Sequence, residues 1–185
     1  MTPDAAERPP LRVWDRAVRV LHWTLVASVA LSALGLVALF GVHQPAGYVA
    51  LAAVLLRVGW GFGRSRYARF AQFVRGPRAS LRYAADVLHH REPRHLGHNP
   101  LGGWMALALM LVVAGLALTG WLYTTDAFWG DETVERVHRA LAWTLLGLVA
   151  AHVAGVVFTS LRHRENLVAA MWSGMKRAPR DDDIA

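Results

Sequence analysis

The chain has 185 residues, 55% of them hydrophobic, and a formal net charge of +7 at pH 7. A mean hydropathy of +0.28 is too apolar for a typical small soluble domain and, at this length, predicts a single membrane domain over residues 1–185. The absence of cysteine excludes disulfides, thiolate metal sites and cysteine nucleophiles, and arginines placed between apolar segments, not along one exposed face, argue against nucleic acid as a partner.

The first twenty residues do not have the pattern of a cleavable signal peptide. Asp4, Glu7 and Asp15 interrupt them, and no small-residue cleavage site follows. The first apolar segment is therefore expected to remain in the protein as a membrane helix.

Four apolar segments are long enough to cross a bilayer, which takes about 20 mostly apolar residues. In chain order they cover about 20–42, 45–63, 101–122 and 138–161. Pro45 is expected to start the second helix, and Asn99 followed by Pro100 is typical of a capped start for the third. The sequence therefore predicts an all-α integral membrane protein, built as a bundle of four transmembrane helices.

Two segments outside the spans interleave arginine with apolar residues. One is the loop over about 64–98, and the other is the tail over 162–185. This pattern predicts short amphipathic helices that lie on an anionic lipid surface.

The distribution of lysine and arginine predicts the orientation of the spans. Basic residues precede the first span, fill the 64–98 loop and follow the fourth span. The opposite connections are a tight turn around His43 and a segment with the acidic residues Asp126, Asp131, Glu132 and Glu135. The positive-inside rule therefore predicts a multi-pass protein of the bacterial inner membrane with both termini cytoplasmic.

Four histidines lie within or at the ends of the spans, where ionisable residues are costly and usually functional. His138 and His152 are 14 residues apart, so they share one face of the fourth span, about 21 Å apart along its axis. His22 enters the first span from the cytoplasmic side, and His43 lies at the outer turn. The expected pairs are therefore His43 with His138 near the outer surface and His22 with His152 towards the inner one.

Two layers of two histidines are what two stacked haems require, because each iron takes one imidazole from each side. The apolar interior of the bundle provides the space for the haems. The third span has no histidine, so it is expected to line this space without supplying a ligand. Small residues that make room for the macrocycle, or that serve ordinary helix packing, are Gly35, Gly47, Gly147 and Gly155.

Arg57 is the first candidate for binding a haem propionate. It stands 14 residues after His43, so it shares that helix face and lies near the inner layer. A buried arginine needs an anion, which a propionate supplies. The alternative is that Arg57 extends to the inner membrane surface.

Arg16, Arg19 and His98 are further candidates for the haem pocket. Arg16 and Arg19 can reach a propionate if they turn inward, which would also reconcile the shallow position of His22 with the depth of His152. The alternative is that the first helix continues well past the inner boundary of the bilayer. His98, at the inner mouth, can bond a propionate or a quinone carbonyl, or can be an ordinary loop residue beside the start of the third helix.

The chain resembles the bacterial cytochrome b561 family, including its nickel-hydrogenase-type b cytochromes. The resemblance runs in the family's order over about residues 11–177, through "VWDRAVRVLHW", "GHNPLGGWM", "VHRALAW" and "HRENLVAAMWSGMKR". It implies four helices, two b haems and electron transfer linked to quinone. It also implies axial-ligand roles for His22, His43, His138 and His152.

The leading hypothesis is a dihaem b-type cytochrome of respiratory electron transport. A haem with two histidine ligands has no open iron site, which favours outer-sphere electron transfer. Electrons are expected to pass between ubiquinone and a redox partner, which is either a periplasmic c-type cytochrome or an oxidoreductase subunit. Two alternatives stay open: a superoxide oxidase that reduces ubiquinone, with Arg136 and Arg139 attracting the anion beside His138, and a haem-free transporter with a histidine relay.

Overall fold

A computed structural model describes residues 9–38, 40–63, 66–181 and 183–184, without the side chains of 35–40. Over these ranges the chain is mostly helical. The helices are α1 (Arg16–Ala38), α2 (Phe40–Gly61), α3 (Phe70–Phe73), α4 (Pro77–Leu88), α5 (Pro100–Leu122), α6 (Glu132–Arg162) and α7 (Leu167–Ser173). Two short strands, β1 (Leu11–Arg12) and β2 (Met175–Lys176), pair antiparallel with Leu11 opposite Lys176.

Three of the described helices are long and apolar enough to cross a membrane: α1 over Arg16–Leu34, α5 and α6. Their apolar side chains face outward, as Leu111 at 74% and Trp143 at 70% exposure illustrate. Helix α2 has a similar length, 22 residues, but is not one of these three. The all-α membrane class is thus supported, and a fourth crossing by α2 stays a prediction.

Two helix starts differ from the sequence predictions. Helix α2 begins at Phe40, so Pro45 lies inside it and the expected outer turn around His43 is helical. The ring of proline fixes a backbone angle that a helix accepts, at the cost of one hydrogen bond. Helix α6 begins at Glu132 instead of about 138, because the Asp131 carboxylate accepts hydrogen bonds from the backbone of Thr133 (2.8 Å) and Val134 (2.9 Å).

The start of α5 confirms the sequence prediction. The Asn99 side chain accepts a hydrogen bond from the Gly102 backbone at 2.7 Å, and Pro100 is the first helical residue. The amphipathic loop contains α3 and α4. The tail contains α7, which is preceded by Asn166 and followed by Gly174, whose backbone is in the left-handed conformation. Their position on a lipid surface stays a prediction.

The contacts divide the chain into two compact units. The first consists of Met1–Arg19, Trp60–Met105 and His152–Ala185, and the second of Val20–Gly59 and Ala106–Ala151. The core of the first unit is formed by Val13, Trp14, Val18, Tyr67, Ala68 and Leu96. That of the second is formed by Ala50, Val54, Val113 and Leu145.

Candidate functional site

His43 of α2 and His138 of α6 lie close together in the second unit. Their ring centroids are 6.1 Å apart, and the ring planes are inclined by 68°. Both residues are half-buried. The structure therefore brings together the two histidines that were predicted to share the outer layer, although His43 is helical and His138 is well inside α6.

The His43 ring is oriented by Ser32 of α1. Its Nδ1 lies 2.9 Å from the Ser32 carbonyl oxygen, and since a carbonyl can only accept, Nδ1 carries the proton and donates it. The Ser32 hydroxyl in turn donates to the His43 carbonyl at 3.3 Å. In this neutral tautomer the Nε2 lone pair of His43 is available to a metal ion.

The His138 ring is oriented by Thr119 of α5. Thr119 Oγ1 lies 2.9 Å from His138 Nδ1 and donates its own proton to the Gly115 carbonyl at 2.8 Å, so it accepts the Nδ1 proton of His138. A Cβ at Gly120 would come within 3.3 Å of His138 Cε1, which explains why a residue without a side chain suits this position. The Nε2 lone pair of His138 is available as well.

The two rings fit an axial ligand pair for one metal ion. A metal–imidazole bond is about 2.0 Å long, so an ion between two Nε2 atoms separates the ring centroids by roughly 6 Å. The observed 6.1 Å matches this separation. Among the described residues no group of three or more His, Cys, Asp or Glu side chains could hold a metal. A haem iron needs only two ligands from the protein, because the porphyrin supplies the others.

The predicted slot glycines border open space where the structure describes them. A Cβ built at Gly47, Gly147 or Gly155 meets nothing within 4 Å. Such space suits a macrocycle and equally suits lipid. Gly35 lies in α1, and its surroundings are outside the described side chains.

The second predicted pair lies in two different units, so its pairing stays a prediction. His22 of α1 belongs to the second unit and His152 of α6 to the first. Both are half-buried. The His22 ring meets the Trp23 ring edge-on, with 5.3 Å between centroids.

The three predicted propionate arginines have different environments. Arg57 of α2 is buried, with 8% of its surface exposed. Arg16 is exposed at the start of α1. Arg19 donates a hydrogen bond to the Trp172 carbonyl in α7, which ties the start of α1 to the tail. A propionate role for each of them stays a prediction.

His98 lies in an aromatic cluster of the first unit. Its ring centroid is 4.8 Å from that of Trp14 and 4.6 Å from that of Phe73. The residue is half-buried. Its expected contact with a propionate or a quinone stays a prediction.

Sequence reasoning missed Thr119, because α5 was expected to be only a wall. The available signal was a single threonine before a glycine in an otherwise apolar span, in "LALTGWL". A threonine hydroxyl can donate its hydrogen bond to a backbone carbonyl of its own helix. The contact between Thr119 and His138 is therefore visible only once α5 and α6 are packed together.

Comparison with known proteins places the chain in a family. The family described as prokaryotic cytochrome b561 matches residues 13–174. A probable Ni/Fe-hydrogenase B-type cytochrome subunit of Bradyrhizobium diazoefficiens is 24% identical, over 94% of this chain and 88% of the relative. Proteins of the same description from Rhizobium leguminosarum bv. viciae and Rhodobacter capsulatus are 26% identical (92% and 90% covered) and 25% identical (77% and 63% covered). Since this match covers most of the chain, the chain belongs to the prokaryotic cytochrome b561 family and is a b-type cytochrome of the membrane.

Proposed function

We propose that this protein is a dihaem cytochrome b that transfers electrons between the quinone pool and a redox partner across the bacterial inner membrane. The observation that carries the proposal is the pair formed by His43 and His138, with ring centroids 6.1 Å apart and both Nε2 atoms available. The bound haem supplies a one-electron couple between ferric and ferrous iron.

The protein's contribution at this site is to hold two imidazoles in fixed orientations. The Ser32 carbonyl and the Thr119 hydroxyl oxygen each accept an Nδ1 proton, which selects the tautomer and makes the imidazole a more basic ligand. A haem held by His43 and His138 would have no open iron position for a substrate, which would favour outer-sphere electron transfer.

For the inner haem we propose His22 and His152 as the axial ligands. Their location in apolar helices, where ionisable residues are usually functional, supports the assignment. The propionates are assigned to Arg57 and, at the start of α1, to Arg16 and Arg19, because guanidinium groups bind carboxylates with two parallel hydrogen bonds.

We propose that the haem slots run along the predicted glycines Gly35, Gly47 and Gly155, and that His98 contributes to a quinone or propionate site at the cytoplasmic end. The open space beside Gly47 and Gly155 supports the first assignment. The aromatic surroundings of His98 suit a flat head group such as that of ubiquinone.

The names of the relatives support an oxidoreductase subunit as the redox partner. All three are described as cytochrome subunits of a Ni/Fe-hydrogenase. We propose a partner of this kind at the outer haem, with a periplasmic c-type cytochrome as the alternative. The superoxide oxidase hypothesis gains no support, because Arg139, one of the two arginines expected to attract the anion, pairs with Glu135.

The first experiment measures haem content and redox activity of the purified protein. We expect two b haems per chain in a reduced-minus-oxidised spectrum, and reduction of both by a ubiquinol in nanodiscs. A colourless protein would favour the histidine-relay transporter, and one haem per chain would refute the dihaem assignment.

In stopped-flow assays with ubiquinone, superoxide should decay no faster than by spontaneous dismutation.

A second prediction concerns Thr119. We expect Thr119→Val to keep the outer haem but to raise its midpoint potential by about 40 mV, the one-electron equivalent of the ~1 kcal/mol that a hydrogen bond contributes. The sign follows because His138, without its acceptor, becomes less basic and stabilises ferric iron less. A spectroelectrochemical titration measures the shift.

The matched control for Thr119 is Thr144→Val in α6. Thr144 makes the same type of bond to its own helix, at 2.9 Å to the Ala140 carbonyl, and forms no hydrogen bond with a histidine among the described residues. The haem midpoint potentials of the Thr144→Val variant should equal those of the unaltered protein. If Thr119→Val also leaves both potentials unchanged, Thr119 does not orient the ligand.

A further inference from the structure

A polar cavity of the first unit has no part in the proposed electron transfer. Its volume is about 360 Å³, which is within the range of small-ligand sites. Apart from Pro93 and His163, charged side chains line it: two carboxylates and five arginines, Arg94, Arg162, Arg164, Arg177 and Arg180. The lining therefore has an excess of three positive charges over its two carboxylates.

Two of the five arginines are already neutralised. Arg94 is buried and forms ion pairs with Glu165, at 2.5 Å, and with Asp183. Arg162 binds Glu92 at 2.7 Å. Because Glu92 and Asp183 are the carboxylates of the lining, both of its negative charges are engaged in these pairs.

The other three arginines have no ion pair within the described part of the chain. The Arg177 Nε atom is buried and has no hydrogen-bond partner there. Arg164 adopts a left-handed backbone conformation, with φ of 49°, which is unfavourable for a residue with a side chain. Arg180 completes the group from the segment before Asp183, to whose carboxylate its backbone donates at 2.8 Å.

The electrostatics of the cavity favour an added negative charge. Burial lowers the pKa of the Arg177 guanidinium, and the neighbouring Arg94 and Arg180 lower it further, against the opposing effect of Glu165 and Asp183. Burial also lowers the pKa of His163, with Arg94 and Arg162 acting in the same direction and Glu92 and Glu165 in the opposite one. Bringing a negative charge among these groups would relieve their mutual repulsion.

We infer that this cavity binds a phosphate-type oxyanion through Arg164, Arg177 and Arg180. Guanidinium groups suit this ligand because their planar array of donors matches the oxygens of phosphate. The phosphate can belong to inorganic phosphate or to the head group of an anionic phospholipid. Helix α7, which follows Arg164 closely, exposes Val168 and Trp172, at 55% and 72%, and so offers apolar contacts that only the lipid would use.

The test measures both sources of phosphate on the full chain. Calorimetry with inorganic phosphate in detergent covers the free ion. Native mass spectrometry of delipidated protein with phosphatidylglycerol, against phosphatidylcholine, covers the lipid. The variants are Arg164→Gln, Arg177→Gln and Arg180→Gln, and Arg91→Gln is the charge-matched control, because Arg91 is exposed and outside the lining.

We expect at least one of the two anions to bind, and each cavity variant to weaken that binding about tenfold, as the loss of one charge-assisted hydrogen bond predicts. The Arg91→Gln control should bind as the unaltered protein does. Phosphate binding identifies the free ion as a ligand, and selective binding of phosphatidylglycerol identifies the head group. Absence of both, or equal weakening by Arg91→Gln, overturns the inference.

Two measurements keep the test independent of folding and of the proposed function. The exposed Arg180→Gln variant alone decides the outcome if Arg177→Gln does not accumulate in the membrane. The b-type spectrum of each variant should match that of the unaltered protein, because the cavity uses none of the four membrane histidines.

Discussion

Replacing His138 with alanine should remove about half of the b-type absorbance of the protein, because one of the two proposed haems would lose a ligand. His43→Ala should have the same effect, since the two rings are proposed to hold the same haem and their centroids are 6.1 Å apart. The measurement is the reduced-minus-oxidised spectrum, normalised to protein in the membrane. His89→Ala is the matched control, because His89 is exposed in the segment after α4 and bonds the Ala85 carbonyl.

The double variant, with His43→Ala and His138→Ala together, tests this prediction most directly. If His43 and His138 bind one haem, removing both should cost no more absorbance than removing either, because residues that act as one site are not additive. Added imidazole should restore part of the band in His138→Ala, since that variant leaves a cavity of the ligand's shape. An absorbance that falls in two equal steps, or not at all, would place the two histidines at different haems or outside any haem site.

The proximity of His43 and His138 could be predicted because its signals are local and periodic. The position of His138 followed from its 14-residue spacing from His152, and its partner from the order of the spans. The start of α5 was likewise predictable, since Asn99 and Pro100 are a local capping signal that needs no tertiary contact.

The helix starts were less predictable, because hydropathy indicates which residues suit the lipid and not where the backbone hydrogen bonds of a helix begin. Helix α6 extends beyond its apolar segment to Glu132, where the Asp131 side chain caps it. Helix α2 continues through Pro45 towards its N-terminus, although proline suggested a boundary.

Long-range polar contacts could not be predicted from spacing at all. Thr119 binds His138 across two helices, and Arg94 binds Glu165, which is 71 residues later in the chain. Such contacts depend on how elements pack, and each residue alone has an ordinary surface interpretation. The ionic network around Arg94 was therefore not anticipated, although it is the most buried set of charges in the part of the chain that the structure describes.

The network joins three segments of the first unit that are distant in sequence. Arg94 comes from the loop before α5, Glu165 from the segment after α6, and Asp183 from the end of the described chain. Lys176 of β2 adds a contact to Glu165 at 3.5 Å and donates to the His95 carbonyl at 3.2 Å. These side chains are at most 7% exposed, so solvent screens their interactions weakly.

Removing Arg94 should therefore destabilise the protein strongly. Arg94→Met fills a similar volume but leaves the carboxylates of Glu165 and Asp183 buried with less compensation, which costs about 3–5 kcal/mol. For a chain of this length the thermal midpoint in detergent should fall by roughly 10 °C. The control is Arg139→Met, because Arg139 forms an exposed pair with Glu135 and should shift the midpoint by less than about 3 °C.

The effect of Arg94→Met should also depend on pH. Burial alone would raise the pKa of Glu165, but the hydrogen bond from Arg94 and the charge of Lys176 outweigh it and hold the pKa below its ordinary value. A carboxyl group with a lowered pKa in the folded state stabilises the protein above the unfolded value, about 4.3, and loses that contribution as the pH falls through the folded value. The difference in midpoint between the unaltered protein and Arg94→Met should therefore be full at pH 7 and shrink below about pH 4. A difference that stays constant from neutral to acid pH would mean that Arg94 stabilises the first unit by packing and not through the charge of its carboxylate partners.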